Sequence, residues 1–566
     1  MEPVALSPDR RRDDLARLRD EQLDILVIGG GVTGTGIALD AATRGLNVGL
    51  VEQRDYAAGT SSRSSKLIHG GLRYLEQFNL TLVREALRER GLLLRDLAPH
   101  LVRPVSFLFP LQHRVWERAY IGAGIALYDT LGGTKHLPRH QHLSRTKAIE
   151  LFPSLRKDAL VGAIRYWDAQ VDDARHTMEI ARTAAAYGAA VANSARVVDL
   201  LREGERVVGA RVRDQEAGAE IDVRARQVIN ATGVWTDHIQ EMVGRGRIQV
   251  RASKGIHIVV PKDRIHGDAG MILRTETSVL FIIPWGRHWV VGTTDTDWRL
   301  DLAHPAASAS DIQYLLDRVN TVLRTPLTHE DVEGVYAGLR PLLTGESEAT
   351  SQLSREHAVA QTVAGLITIA GGKYTTYRVM AKDAVDAAAR SLPQRVPGSV
   401  TDRTPLLGAE GYHALWNRRR RFADEVGLHV SRVEHLLSRY GSMITEVLTL
   451  LAERPELGER IAGADGYLRV EAVYAASHEG ALHLDDFLTR RTHISIETFD
   501  RGVAAANDVA PLMGEVLGWS DEELAREIEH YQARVAAELE SQRMPDDRTA
   551  DAARMGARDV RVGGTT

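Results

Sequence analysis

Gly29-Gly30-Gly31-Val32-Thr33-Gly34 fits the pattern G-x-G-x-x-G, in which each glycine has a physical task. The first permits a tight turn out of a strand, the second lets backbone approach a pyrophosphate, and the third lets a helix pack closely on the strand. An acid about 20 residues further on can accept hydrogen bonds from a ribose, and Glu52 stands there. A second run, Thr60 to Glu76, is dense in hydroxyls before Gly70 and Gly71 appear beside His69 and Arg73. Such a loop could wrap a large polar cofactor and present cations to a substrate. A serine-rich surface linker would look similar, but Leu67, Ile68, Leu72 and Leu75 are out of place in one.

Three later residues could also do chemistry. His257 lies in the β-branched run Ile256 to Val260, where a lone histidine by itself suits a satisfied core position. Arg340 sits between Leu339 and Pro341, an awkward place for a merely solvated charge, so an anion ligand or a buried pair is expected. Gly371-Gly372-Lys373, before Thr375 and Thr376, resembles a second anion-facing turn that opens a helix through Met380 and Ala384.

The elements that must position these residues are legible. Ile25–Ile28 is a short apolar strand, Gly36 to Ala42 a helix closed by Gly45, and Leu46 to Val51 a second strand ending on Glu52. With strand, turn, helix, strand and acid in register, the unit reads as a dinucleotide site with phosphates at a helix N-terminus. Gln227 to Asn230 is another strand, running into Ala231-Thr232-Gly233, where small residues let backbone pass close to a bound dinucleotide; an ordinary strand-to-turn junction would look the same.

Composition narrows the chemistry. The chain has no cysteine, which excludes disulfides, thiolate nucleophiles and Cys-ligated metals, so redox chemistry must rest on a bound cofactor. Its 71 basic and 76 acidic residues nearly balance, against a general nucleic-acid binder. With 566 residues, two or three domains are expected. The start of the chain lacks an apolar segment of the signal-peptide kind, and no apolar run approaches the roughly 18 to 20 residues of a membrane span. A protein made and kept inside the cell is therefore expected. His136, His140 and His142 cluster, but Pro138 breaks any shared helix face, and no metal site is expected. Arg418 to Arg421 reads as a solvated helix face. The lack of a second glycine fingerprint argues against a direct NADH route.

The glycine unit together with Thr60 to Glu76 resembles the FAD-dependent glycerol-3-phosphate dehydrogenases. Matching motifs follow in the family's order: Val171 to Arg175, Asn230 to Trp235, Lys254 to Pro261, Ile283 to Trp285, Gly292 to Asp295, Gly338 to Leu342, Gly371 to Arg378 and Leu484 to Thr492. The resemblance runs from about residue 22 to about 545. It implies a Rossmann-like α/β FAD-binding domain of the D-amino-acid-oxidase group, a β-sheet substrate domain and a helical C-terminal domain. The FAD domain would be discontinuous, from 22–90, 150–250 and 335–392. The substrate domain would come from 91–149 and 251–334. Pro393 to Asp402 reads as a linker before a helical domain at 400–545. Residues 1–21 and 546–566 would be terminal extensions, the first charged, compatible with a helix and solvated, the second polar and mobile.

The resemblance also implies roles. Gly29 to Gly34, with Glu52 and Gln53, would hold FAD, as would Thr60, Ser61, Ser64 and Lys66. Leu67, Ile68, His69, Gly70 and Gly71 would continue that wall, joined by Val197, by Ala231, Thr232, Gly233 and Trp235, and by Gly372, Lys373 and Thr375. Arg73 and Arg340 would hold the phosphate and hydroxyl end of glycerol 3-phosphate, with Tyr74 beside them and Lys373 in reach. His257 and Lys373 are the candidates for proton transfer and alkoxide stabilisation, with the base left open between them. The acceptor would be a membrane quinone, reached from the inner face of the cytoplasmic membrane; a homodimer is compatible with the family. Ala119 to Tyr128, flanked by His113, Arg114 and Arg118, could enter an interface or be a buried core helix. Three competing readings are an oxygen-using oxidase, a flavin-bearing sensor and an amine or amino-acid oxidase.

Overall fold

The strand Leu23–Ile28 is almost wholly buried and runs parallel to Val48–Val51 on one side and Glu220–Asn230 on the other. In the computed structural model, which describes residues 3–71, 79–113, 116–132, 137–244, 246, 248–275, 279–344, 357–557 and 559–561, these strands form the centre of the first sheet. Ala190–Ala192 extends it beyond Val48–Val51, and Leu366–Gly371 extends it beyond Glu220–Asn230. His357–Val363 closes that side antiparallel. Strands buried on both faces read as continuous apolar runs, and helices must cover them. Val32–Thr43, Asp173–Ala186 and Tyr377–Ala389 do so on one face, through Ile37, Met178, Ala181, Met380 and Ala384.

The other face is covered partly by the N-terminal segment, whose charged stretch is helical, Pro8–Asp20, as its sequence allows, but docked on the sheet and not solvated. Leu18 is fully buried against Leu23 and Leu26. Arg11 Nη2 donates to Asp214 Oδ1 at 2.6 Å, and the buried Asp14 carboxylate accepts from Val191 N at 3.2 Å. Paired charges and one apolar stripe are enough to dock a helix whose composition looks exposed.

The second sheet is mostly antiparallel. Its order is Thr296–Trp298, Val250–Pro261, His288–Gly292, Val279–Trp285, Gly270–Arg274, Val102–Leu111, Gly162–Val171 and Leu67–Ile68. Gly334–Leu343 pairs along Val250–Pro261 from Leu343↔Val250 to Gly334↔Val259. Residues 162–171 and 335–343, which fall in stretches expected for the nucleotide domain, pair within the second sheet. The cause is backbone satisfaction: the interior strand Val250–Pro261 needs partners on both edges for its N–H and C=O groups. Leu67–Ile68 pairs antiparallel with Ala169 and Gln170, so the hydroxyl-rich run leaves the first sheet's glycine turn and ends in the second sheet.

Residues beyond 400 are mainly helical, around two apolar clusters centred on Leu436, Val447 and Tyr474 and on Phe487, Ala506 and Val509. The basic run is solvated apart from ion pairs of Arg419 with Glu434 and Arg421 with Glu425. Within the terminal segment Asp547–Arg554 is a helix, with Ala550 fully buried. Among the described residues no helix is long and apolar enough to cross a membrane.

Candidate active site

A cavity of about 2080 Å³ is lined by residues of both sheets. At one end is the glycine turn. Gly29 adopts φ +112°, and a Cβ there would lie 2.7 Å from the Ala231 carbonyl oxygen. A Cβ on Gly34 would fall 1.8 Å from the Gly29 oxygen, so only glycine lets the helix start this close to the strand. Ser61 Oγ accepts from Val32 N at 2.9 Å, which fixes the hydroxyl loop over the helix start. Glu52 accepts from Gly30 N at 2.7 Å and Arg54 N at 2.8 Å, holding its carboxylate at the strand end. A narrow backbone cradle, a helix N-terminus and a fixed acid fit a dinucleotide.

The wall contains Gly29, Gly31, Val32, Thr33, Glu52 and Gln53. Thr60, Ser61, Ser64, Leu67, His69 and Gly71 continue it. Val197, Ala231, Thr232, Gly233, Trp235, Gly372, Lys373 and Thr375 complete this set. Five expected lining residues stand behind the surface. Gly30 and Gly34 are taken up by close backbone packing. Ile68 is fully buried in its strand, and Gly70 N donates to Tyr128 Oη at 2.7 Å, away from the cavity. Lys66 is 1% exposed, and its Nζ donates to Asp173 Oδ1 at 2.6 Å. It is an internal counter-ion that braces the loop, since the same carboxylate accepts from Ser64 N and Oγ. The Asp comes from the Val171 to Arg175 motif, more than 100 positions away, so the loop gives no sign of it.

At the other end His257, Arg340 and Lys373 line the same cavity. His257 projects from Val250–Pro261; its Nε2 lies 2.9 Å from Ser65 Oγ, and its ring stacks on Tyr336 with centroids 4.7 Å apart. Tyr336 is held in turn by donating to the Ser64 carbonyl at 2.9 Å. Burial, then the positive charges of Arg340 and Lys66, push the His257 pKa well below the usual imidazole range, so the ring is neutral. Arg340 Nη2 donates to Thr293 Oγ1 at 3.1 Å and to the Thr294 carbonyl at 3.2 Å, with Asp295 Oδ1 3.6 Å from Nη1. These contacts set the plane of the guanidinium.

Lys373 follows Gly371 and Gly372, at φ +77° and +80°, and a Cβ on Gly372 would meet Met380 Sδ at 2.5 Å. Tyr374 donates from its hydroxyl to the Asp173 carbonyl at 2.7 Å. Arg73, Tyr74 and His136 lie outside the described residues. Ser65, Thr293 and Tyr336 were not singled out from sequence. The first two sit within quoted motifs, whereas Tyr336 has no local signal and becomes visible only once its strand pairs with that of His257. Among the described residues no group of His, Cys, Asp and Glu could hold a metal. His140 is instead paired through Nδ1 with Asp129 at 2.7 Å.

The comparisons agree with this geometry. The profile "FAD dependent oxidoreductase" (DAO) matches residues 24–378, and "C-terminal domain of alpha-glycerophosphate oxidase" matches 399–524. A glycerol-3-phosphate dehydrogenase of Mycobacterium leprae is 61% identical over 559 residues, 99% of this chain and 96% of that one. The human mitochondrial glycerol-3-phosphate dehydrogenase is 39% identical over 552 residues, covering 93% of this chain and 75% of its own. The crystal structure of a Bacillus halodurans glycerol-3-phosphate dehydrogenase complexed with FAD superposes with a TM-score of 0.77 at 31% identity, over 94% of this chain and 97% of that chain. A glycine cradle joined to a cationic end, on a scaffold matched over nearly its whole length, places the chain in the FAD-dependent glycerol-3-phosphate dehydrogenase family.

Proposed function

We propose that this chain oxidises sn-glycerol 3-phosphate to dihydroxyacetone phosphate and passes the electrons to a membrane quinone, as a step of glycerol and glycerophospholipid catabolism. The observation that carries the reading is the placement of His257, Arg340 and Lys373 on one cavity with the glycine cradle. Bound FAD supplies the hydride acceptor. The chain's own residues supply position and charge. Arg340, its plane fixed by Thr293 and Thr294, offers a fork that can bind a phosphate oxygen pair. Neutral His257, oriented by Ser65 and Tyr336, accepts the C2 hydroxyl proton, and Lys373 stabilises the alkoxide that develops. Arg73 and Tyr74 are proposed for the same substrate end.

The quinone reading rests on helix Trp116–Gly132. One face is buried through Ile121, Ile125 and Tyr128. The other exposes Trp116 (60%), Tyr120 (56%) and Leu127 (42%). Tyr120 and Leu127, with Leu80 from the neighbouring helix, also line the cavity, so part of its wall is apolar and open to solvent. That arrangement suits peripheral attachment to the cytoplasmic face of a membrane and entry of an apolar acceptor.

The test is the anaerobic visible spectrum of the purified protein. Glycerol 3-phosphate should bleach the flavin bands and glycerol should not. A spectrum unchanged by glycerol 3-phosphate would remove the substrate. Peroxide formed in step with substrate would replace the quinone by oxygen.

A further inference from the structure

The C-terminal segment lies beyond both family profiles, the second of which ends at residue 524. Its composition is polar, yet it is fixed at both ends and in the middle. Met544 accepts from Ala309 N through its carbonyl at 2.8 Å. Asp547 pairs with the fully buried Lys254, which also donates to Asp311 at 2.5 Å. Ala550 packs into an apolar cluster with Val234, Trp235, Ala252 and Leu339, of which Val234, Trp235 and Leu339 form cavity wall. Arg561 Nη2 donates to Asp486 Oδ1 at 2.9 Å in the helical domain.

Between these anchors Met555, Ala557, Asp559 and Val560 line the cavity, and Asp559, with Arg561 and Glu52, acts electrostatically on Arg54. Arg54 is nine-tenths buried there. Its Nη1 donates to the Ala303 carbonyl at 3.1 Å, its guanidinium lies over Trp235, and its Nε has no hydrogen-bond partner. Arg554 comes within 3.4 Å of His304 Nδ1, and Asp559 lies 3.9 Å from His304 Nε2. Burial is the main cause that pushes Arg54, Arg554 and His304 downward, with Asp559 and Glu52 acting in the opposite sense on Arg54.

We propose that residues 544–557 and 559–561 are part of the cofactor site: they close the Glu52 end of the cavity over the ribose half of the dinucleotide. FAD then leaves only when the segment lifts from its anchors at Lys254 and Asp486. The proposal rests on FAD binding and not on the identity of the alcohol, so failure to oxidise glycerol 3-phosphate would leave it standing.

Two measurements on the full chain test it. In the holoenzyme carrying Asp547→Ala and Arg561→Ala, the release of FAD, followed by the rise of free-flavin fluorescence after dilution, should be about tenfold faster than in the parent, equivalent to about 1.4 kcal/mol of closure. Because the chain has no cysteine, Ala557→Cys alone creates a single thiol. The reaction of that thiol with a maleimide should be slow in the holoenzyme and clearly faster after FAD is removed, a result that needs no destabilised variant. Equal FAD release from parent and double variant, or a maleimide labelling rate of Ala557→Cys indifferent to FAD, would overturn the proposal.

Discussion

The Thr375 hydroxyl is hydrogen-bonded to both main-chain groups of His69: it accepts from His69 N at 3.2 Å and donates to the His69 carbonyl at 3.2 Å. His69 follows a strand of the second sheet, and Thr375 follows a strand of the first. One side chain thus ties the loop carrying Gly71 to the loop carrying Lys373. Thr375→Val keeps the shape and removes both of these hydrogen bonds. The expected cost is about 1–3 kcal/mol of stability, read by chemical denaturation, together with a fall in kcat. An unchanged kcat would mean that the clasp does not register the two halves of the site.

Arg340 is held as a plane and not merely as a charge. Arg340→Ala should lower kcat/KM for glycerol 3-phosphate by about 10²–10³ while the protein keeps its flavin. Arg340→Lys should restore only part, because an ammonium cannot present two parallel donors. Steady-state kinetics with both variants decide; full recovery in the lysine variant would reduce Arg340 to a point charge.

Lys66 is expected to matter for stability before chemistry. Lys66→Met strands Asp173, fully buried, without its cation. Removing one member of such a pair costs about 3–5 kcal/mol, measurable as a lower urea midpoint. A loss under about 1 kcal/mol would show that the backbone and Ser64 donors suffice for the carboxylate.

Acid sensitivity should have an identifiable source. Burial holds His176 down to about 3, so the folded state keeps it neutral through mildly acid pH. An unfolded imidazole titrates near about 6.5. Below that pH the unfolded chain takes up a proton that the folded chain refuses, and stability is lost as pH falls. Between pH 6 and pH 4.5 the parent should lose about 1.4 kcal/mol per pH unit more than His176→Gln. Glu179, pushed up to about 7 mainly by burial, adds a slope of opposite sign that both proteins share. Parallel stability curves would remove His176 from the account.

The exposed stripe should separate the two half-reactions. Trp116→Asp, on the same exposed face but outside the cavity wall, should abolish flotation with liposomes and slow turnover with a quinone, with anaerobic bleaching by glycerol 3-phosphate intact. Unchanged flotation would place membrane contact elsewhere.

The nucleotide unit was readable because its causes are local: the turn, the close helix and the acid all fall within Leu23 to Glu52. Arg340 was legible as a charge in an apolar setting, but its partners Thr293 and Thr294 become partners only through sheet pairing. The partner of Lys66 is hidden for a similar reason, since a cation among hydroxyls looks like a ligand until Asp173 is brought to it. That strands 162–171 and 335–343 pair within the second sheet is not visible in the sequence, because edge satisfaction is a non-local demand. The two terminal segments look solvated in sequence because a few scattered anchors, among them Leu18 at one end and the Asp547 pair with Lys254 at the other, outweigh a polar composition.

Tyr120, Ala123 and Leu127 belong to the wall of the same cavity as His257 and Arg340. Alcohol and electron acceptor would therefore share one doorway, and the oxidised product must vacate it before the acceptor enters. Turnover is then substituted-enzyme in order, with parallel double-reciprocal lines and each ligand competing against the other's half-reaction.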